Sequence, residues 1–140
     1  MRRVCDPDGR VVLSVWRPLE YHAGYVVLAE ALERHVGEEA GAMMRSPFPA
    51  WNEADLRTLA RNGGFGEVSV ALEIDSVRYP SAEEFVRREA ASSPLAGSIS
   101  AVVDQDVRDA LVSAVENGLE AYTDDDGVVF PMESHVLTLR

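Results

Sequence analysis

Lysine is absent from these 140 residues, and all thirteen basic side chains are arginine. We interpret this as a signature of genome composition or high salt, not of function. The single cysteine, Cys5, excludes a disulfide framework within the chain and fits a reducing compartment. No apolar run approaches the ~18 residues of a membrane span, and no apolar signal core follows Met1-Arg2-Arg3. We therefore expect a cytoplasmic protein without a membrane partner.

Positive charge is also scarce, because 24 acidic residues outnumber the arginines and give a formal net charge of −11. Such a charge opposes binding to nucleic acid or to an anionic membrane surface. The length suffices for one domain with a real core, and 46% hydrophobic residues are ordinary for a globular protein. We expect a single domain over 1–140 that has no nucleic-acid partner.

The segment 11–16, Val-Val-Leu-Ser-Val-Trp, follows a Pro-Asp-Gly turn and predicts the first β-strand. Its apolar residues do not alternate with polar ones, which is typical of a strand covered on both faces inside a parallel or mixed sheet. An inner strand needs neighbours on both sides, but the residues before Gly9 are too few and too polar to supply one. This strand is therefore expected to have an unpaired edge.

Helix and strand patterns alternate along the rest of the chain. Apolar spacing predicts helices over about 24–36 and 104–122. Asn52 can cap a short helix with Leu56, Leu59 and Ala60 inside, and a capping box at 81–84 opens another helix. Strands are predicted over about 67–79 and 128–139, the last with apolar residues on both faces, and a connector over 38–51. The fold class is α/β, an α+β-like fragment with about four helices.

Three segments share the order and spacing of a known family. They are 7–18 (Pro-Asp-Gly-Arg-Val-Val-Leu-Ser-Val-Trp-Arg-Pro), 55–65 (Asp-Leu-Arg-Thr-Leu-Ala-Arg-Asn-Gly-Gly-Phe) and 130–139 (Phe-Pro-Met-Glu-Ser-His-Val-Leu-Thr-Leu). They resemble the fifth strand, the next helix with its turn into the sixth strand, and the seventh strand of class I S-adenosylmethionine-dependent methyltransferases. The likeness is to the small-molecule, ubiquinone-methyltransferase-like branch, and only to its carboxyl-terminal half.

The resemblance implies a truncated Rossmann-like methyltransferase fold: a small three-stranded mixed sheet whose last strand is central and antiparallel to both others. In this family the methyl donor lies on segments that would precede Met1. Gly63, Gly64 and Gly66 are followed by a strand, so they form no nucleotide cradle. We expect no cofactor in the isolated chain, although the family uses S-adenosylmethionine.

The resemblance also implies an acceptor pocket at the carboxyl edge of the sheet, where open α/β sheets bind ligands. Its cap would come from about 17–52 and 80–127, with Tyr21, Met43 and Met44 in the roof. Core packing is the alternative, because apolar stripes usually mean packing. The predicted substrate-binding residues are Trp16, Arg17, His22, Phe48, Trp51, Arg78, Tyr79 and Phe130.

No metal pattern accompanies these residues. The three histidines lack metal-ligand spacing, and Glu133 with His135 would supply only two ligands. A partial calcium-loop match at 122–133 begins with Tyr122 and leads into a strand where a helix is required. We expect no metal site, and His22 is either a general base or a pocket-lining residue.

Two functions are open at this point. The first is a small-molecule methyltransferase half that is inactive alone because the cofactor-binding half is missing. The second is a non-catalytic, self-associating module that binds a small apolar ligand. In either case the bare edge of the 11–16 strand predicts a homodimer through that region.

Overall fold

The computed structural model describes residues 2–6, 8–92 and 104–140 of the chain. Parts of the predicted Pro-Asp-Gly turn and of the cap segment 80–127 lie outside the described residues. Short 3₁₀ turns occur at Arg2–Val4, Leu19–Tyr21 and Glu120–Tyr122. The strands and α-helices are β1 Val11–Trp16, α1 Ala23–His35, α2 Glu38–Arg45, α3 Glu53–Asn62, β2 Val68–Tyr79, α4 Ala82–Ser92, α5 Gln105–Gly118, β3 Thr123–Asp124 and β4 Gly127–Leu139.

The sheet has β4 in its centre, with β1 on one side and β2 on the other. Leu139, at the end of β4, lies opposite Val11 and Val68. The predicted central position of the last strand, antiparallel to both neighbours, is confirmed. The predicted count of three strands is not confirmed, because β3 adds a short fourth strand on β4. With β4 in the centre, every pairing in the described chain is antiparallel, so the sheet is antiparallel and not mixed.

The core changes sides along β4. Val128, Phe130 and Met132 are buried in a cluster with α1, α2, α4 and α5, whereas Leu137 and Leu139 are buried with α3. The first three have even numbers and the last two odd numbers, so in a strand without a bulge they point to opposite faces. This switch accounts for the apolar residues on both faces of β4.

The burial of β1 alternates although its sequence does not. Val11, Leu13 and Val15 are half-buried and pack on the α3 side. On the other face, Val12 is 63% exposed and Trp16 is 42% exposed. The expectation that this strand is covered on both faces is therefore wrong, because the cluster around Phe130 covers that face only beside the first half of β4.

Residues 38–51 are not a connector throughout, because α2 occupies the first eight of them. Gly37, with a φ of 136°, interrupts the chain after α1, and Glu38 and Glu39 then lie in the first turn of α2, where the helix dipole favours negative charge. Ala40 and Met44, four residues apart, are buried on one side of this helix.

The predicted helix cap at Asn52 is confirmed. The Asn52 side chain accepts a hydrogen bond from the backbone N–H of Asp55 (3.0 Å), and the Asp55 carboxylate accepts one from the N–H of Asn52 (3.1 Å). Leu56 and Ala60 face the core as predicted, but Leu59 is 55% exposed. Ser81 accepts a hydrogen bond from the N–H of Glu84, so Ser81 caps the helix as predicted, whereas the Glu84 carboxylate pairs with Arg87 and Arg88.

A glycine brings α1 close to β4. A β-carbon added at Gly24 would lie 2.3 Å from Cζ of Phe130, so the ring packs directly on the helix backbone. This contact fixes the first turn of α1 over the sheet. His22 and Tyr25, within two residues of Gly24, lie beside this contact.

Candidate functional site

An aromatic cluster lies between α1, α4 and the paired ends of β2 and β4. Phe130 is at its centre, with its ring centroid 5.2 Å from Phe85 and 6.1 Å from Tyr79. Tyr25 lies 5.6 Å from Phe85 and 5.1 Å from Phe48. Phe85 and Phe130 are fully buried, whereas the other three rings are partly accessible. The rings form an apolar wall between the helices and the sheet, and three of its five members reach the surface.

A polar group is set into this wall. The Tyr79 hydroxyl donates a hydrogen bond to the Glu89 carboxylate at 3.0 Å, and Tyr25 brings a second hydroxyl to the same two residues. Burial, with the nearby Glu89 carboxylate, raises the pKa of both phenols above their ordinary value. Both tyrosines therefore stay protonated and act as hydrogen-bond donors at neutral pH.

His22 is fully buried between β1 and β4. Its Nδ1 lies 3.4 Å from the backbone N of Glu133, and its Nε2 lies 3.1 Å from the carbonyl oxygen of Arg17. Because the Glu133 N–H is a donor, Nδ1 accepts, and Nε2 must carry the proton that it donates to Arg17. Both ring nitrogens are occupied by backbone groups. This arrangement favours a structural role for His22 over that of general base.

The carbonyl oxygen of Arg17 accepts the His22 hydrogen bond, and the Arg17 side chain is held by two other residues. Its guanidinium forms an ion pair with Glu133, and both side chains are mostly buried. It also stacks over the Tyr21 ring, with Cζ 3.3 Å from the ring centroid. The Arg17 Nε atom is buried without a hydrogen-bond partner among the described residues.

The predicted site residues thus form two contacting groups, with Arg17 joined to the first through His22, and two residues lie outside both groups. Trp16, His22 and Phe48 are in contact, with ring centroids 5.8 Å apart for the first pair and 4.8 Å for the second. Phe48 connects them through Tyr25 to the group around Phe130 and Tyr79, as described above. Arg78 and Trp51 belong to neither group.

These two residues are both on the surface. Arg78 forms a two-point ion pair with Asp124 at 2.6 and 2.8 Å. It follows Val77 and precedes Tyr79 on β2, so its side chain leaves from the other face of the sheet. Trp51, before α3, is 45% exposed.

Sequence reasoning missed Tyr25, Phe85 and Glu89 as members of this site. One signal was available: Phe85 and Glu89 are four residues apart and so share a helix face, which brings a carboxylate to an apolar side. Nothing in the sequence pairs Arg17 with Glu133, because 116 residues separate them.

The residues present do not fit S-adenosylmethionine. In the described chain the two strand-to-helix connections are 17–22 and Pro80-Ser81, and neither contains glycine. Of the glycines with positive φ, Gly37 and Gly64 lie in other connections and Gly127 is the first residue of β4. A helix amino terminus approached by a glycine-rich turn, which would hold the donor's charged end, is therefore not formed by the described residues.

Two further findings concern the described residues only. No group of three or more histidine, cysteine, aspartate or glutamate side chains among them is placed to hold a metal ion. None of their helices has the length and apolar character that crossing a membrane requires.

Comparison with known proteins adds no assignment. No protein-family model matches the chain, and a search of curated proteins found no match.

Proposed function

We propose that these 140 residues are the acceptor-side half of an S-adenosylmethionine-dependent small-molecule methyltransferase, and that they do not transfer methyl groups on their own. The observation that carries the proposal is the strand order β1-β4-β2, in which the last strand lies antiparallel between two earlier strands. The resemblance of segments 7–18, 55–65 and 130–139 implies this same order. A shared strand order indicates a fold and not a chemistry, so support for the function must come from the side chains of the site.

The aromatic cluster supports a role in holding the acceptor. Tyr25, Phe48 and Tyr79 are partly accessible and offer ring faces, while the phenols beside Glu89 offer hydrogen bonds at one end. A few fixed polar groups in an apolar surface are typical of small-molecule sites. Methyl transfer depends largely on positioning the acceptor, which is the contribution expected from such a surface.

The second candidate is a non-catalytic, self-associating module that binds a small apolar ligand. It is favoured by the mutual packing of the rings, since Phe85 and Phe130 are 0% and 1% exposed and belong to the core. It also agrees with the poor fit of the described residues to the cofactor. Both candidates use the same aromatic surface and differ in whether chemistry takes place there.

Calorimetry with S-adenosylmethionine and a reconstitution experiment separate the two candidates. The 140-residue chain alone should give no binding heat. Co-expressed with the amino-terminal half of a full-length methyltransferase of the same branch, it should form a one-to-one complex that binds the cofactor. In that complex Tyr79→Phe should reduce turnover of an aromatic acceptor, whereas Ser76→Ala, on the exposed part of the same strand, should not.

Two results would overturn the proposal. Cofactor binding by the chain alone would show a site that the described residues do not form. A folded chain that forms no complex with any amino-terminal half of the branch would leave the non-catalytic module as the better account.

A further inference from the structure

The outer edge of β1 carries backbone groups that have no partner among the described residues. The N–H of Arg17 donates to the carbonyl of Glu133, so the odd-numbered residues of β1 direct their backbone groups toward β4. The even-numbered residues Val12, Ser14 and Trp16 therefore direct three N–H and three C=O groups outward. Among the described residues, no strand pairs with this edge.

This edge lacks the features that usually protect an exposed strand. The six residues of β1 include no charged residue, no proline and no glycine, although the chain as a whole carries a net charge of −11. Val12 and Trp16, on the uncovered face, are 63% and 42% exposed. Their exposure places an apolar surface next to a row of free hydrogen-bonding groups.

We propose that β1 pairs antiparallel with β1 of a second copy, about a two-fold axis that passes through Ser14. A two-fold axis perpendicular to the sheet places Ser14 opposite Ser14, and Val12 opposite Trp16 of the other copy. All three facing pairs then consist of residues whose backbone groups point outward. The pairing satisfies all six groups in each copy and joins the two sheets into one.

The same register matches side chains on both faces. On the uncovered face each Val12 packs against the Trp16 ring of the other copy, and aromatic–β-branched pairs are among the favourable cross-strand contacts. On the α3 face, Leu13 lies opposite Val15 of the other copy, which extends the half-buried apolar row of each protomer. A second copy of this chain is therefore the occupant that the edge fits.

The interface is small, so the dimer is expected to be weak. Val12 and Trp16 together expose on the order of 200 Å² in each copy, so their contact alone lies well below the roughly 1,200 Å² in total that specific interfaces bury, and the backbone hydrogen bonds must supply much of the affinity. Two chains of charge −11 repel each other, and no ion pair forms across the strand. We expect a dissociation constant on the order of 10–100 µM that decreases as salt is added.

The inference does not rest on the proposed function, although the two compete for one edge. In the resembling family this strand has a further neighbour on the same side, so an added amino-terminal half should displace the second copy. Failure of the dimer would leave the reconstitution experiment unaffected, and failure of reconstitution would leave the dimer in place.

Sedimentation velocity across a concentration series tests the proposal. The unmutated chain should shift from monomer to dimer, and Val12→Lys should remain a monomer while keeping its circular dichroism spectrum. Ile74→Lys is the matched control, because Ile74 is also an exposed strand residue (61%) but lies on β2. It should dimerise like the unmutated chain.

Cross-linking tests the register in a Cys5→Ser background. Residues in a hydrogen-bonded antiparallel pair have Cα atoms about 5.5 Å apart, which a disulfide can span. Ser14→Cys should therefore form a dimer under mild oxidation, and Val12→Cys should not. A chain that stays monomeric at about ten times the expected dissociation constant, or a dimer that Val12→Lys leaves intact, would overturn the proposal.

Discussion

The imidazole of His22 takes the place of a backbone carbonyl as the partner of the Glu133 N–H group. In a regular antiparallel pair, Arg17 and Glu133 would exchange two direct hydrogen bonds. Only the bond from the Arg17 N–H to the Glu133 carbonyl, at 3.1 Å, is direct. The second passes through the ring, from the Glu133 N–H to Nδ1 and from Nε2 to the Arg17 carbonyl. The His22 side chain therefore completes the last pair of hydrogen bonds between β1 and β4.

Replacing His22 with Phe should destabilise the protein. The ring volume is kept, but the Glu133 N–H and the Arg17 carbonyl lose their partners beside a fully buried side chain. Each unsatisfied buried group costs about 1–3 kcal/mol, so for the two groups we expect a loss of about 2–6 kcal/mol in the free energy of unfolding. Urea denaturation measures it. His35→Phe, at the end of α1, is the control and should cost under about 1 kcal/mol. Equal stability of the two variants would contradict the bridge.

The bridge also predicts a pH dependence. Burial lowers the pKa of His22 from its ordinary value of 6.5, because the charged ring loses water, and the nearby Arg17 charge acts in the same direction. His22 therefore takes up a proton near pH 6.5 in the unfolded chain, but only at a lower pH in the folded chain. The stabilisation is complete above pH 6.5 and is lost as the pH falls from 6.5 through the lowered pKa.

Denaturation between pH 8 and pH 5 should show this loss, and His22→Phe should remove it. The paired carboxyl groups of Glu84 and Asp124 have a pKa of about 2 and ordinary values of 4.5 and 3.8, so their contribution falls only at lower pH. A proton NMR titration of the His22 ring gives an independent measurement. A midpoint at or above 6.5 would exclude the proposed bridge.

The hydroxyl groups of Tyr25 and Tyr79, beside Glu89, should ionise at a higher pH than those of ordinary tyrosines. Burial raises the pKa of Tyr25 and of Tyr79 above 10, so their stabilising contribution is present below pH 10 and is lost as the pH rises through the raised values. Absorbance near 295 nm should therefore show a delayed phase in the folded protein that is absent in guanidinium. Tyr25→Phe and Tyr79→Phe should each reduce that phase. A titration identical in both solvents would argue against a buried network.

Close packing of α1 on β4 gives a test with a matched pair of glycines. A β-carbon at Gly24 would meet the Phe130 ring at 2.3 Å, whereas one at Gly66 would meet nothing within 4 Å. Gly24→Ala should cost about 1–3 kcal/mol despite the better helix propensity of alanine, because the ring cannot move freely in a packed core. Gly66→Ala should change the stability by less than about 0.5 kcal/mol. Similar values for both would indicate a loose contact between α1 and the sheet.

Local signals predicted most of the elements. The caps at Asn52 and Ser81 are formed by side chains within three residues of the groups they bind, so the sequence displays them directly. Helix α2 was missed because its eight residues include Gly41 and bury only Ala40, Gly41 and Met44, which is too short a stripe to recognise. The central place of β4 came from the family resemblance, since strand order is not a local property.

The features of the site that depend on tertiary contacts were not predictable. His22 and Glu133 are 111 residues apart, and their contact depends on where β1 ends along β4. The exposure of apolar residues on β2 also depends on tertiary contacts. These residues alternate regularly in the sequence, but α3 covers only the part of the strand near Val68 and Val70. The sequence pattern shows which residues share a face but not how far a helix extends over that face.

The limit of that cover can be measured with two substitutions on one face of the sheet. Leu137 on β4 is 3% exposed beneath α3, whereas Ile74 on β2 is 61% exposed beyond it. Leu137→Ala should cost about 2–5 kcal/mol because it leaves a cavity in a packed cluster. Ile74→Ala should cost under about 1 kcal/mol, since little apolar area leaves water there on folding. Urea denaturation of both variants, at a protein concentration below the dissociation constant of the dimer, measures the difference in stability. A loss above about 2 kcal/mol for Ile74→Ala would mean that this half of the face is covered, and would place a packed element over β2.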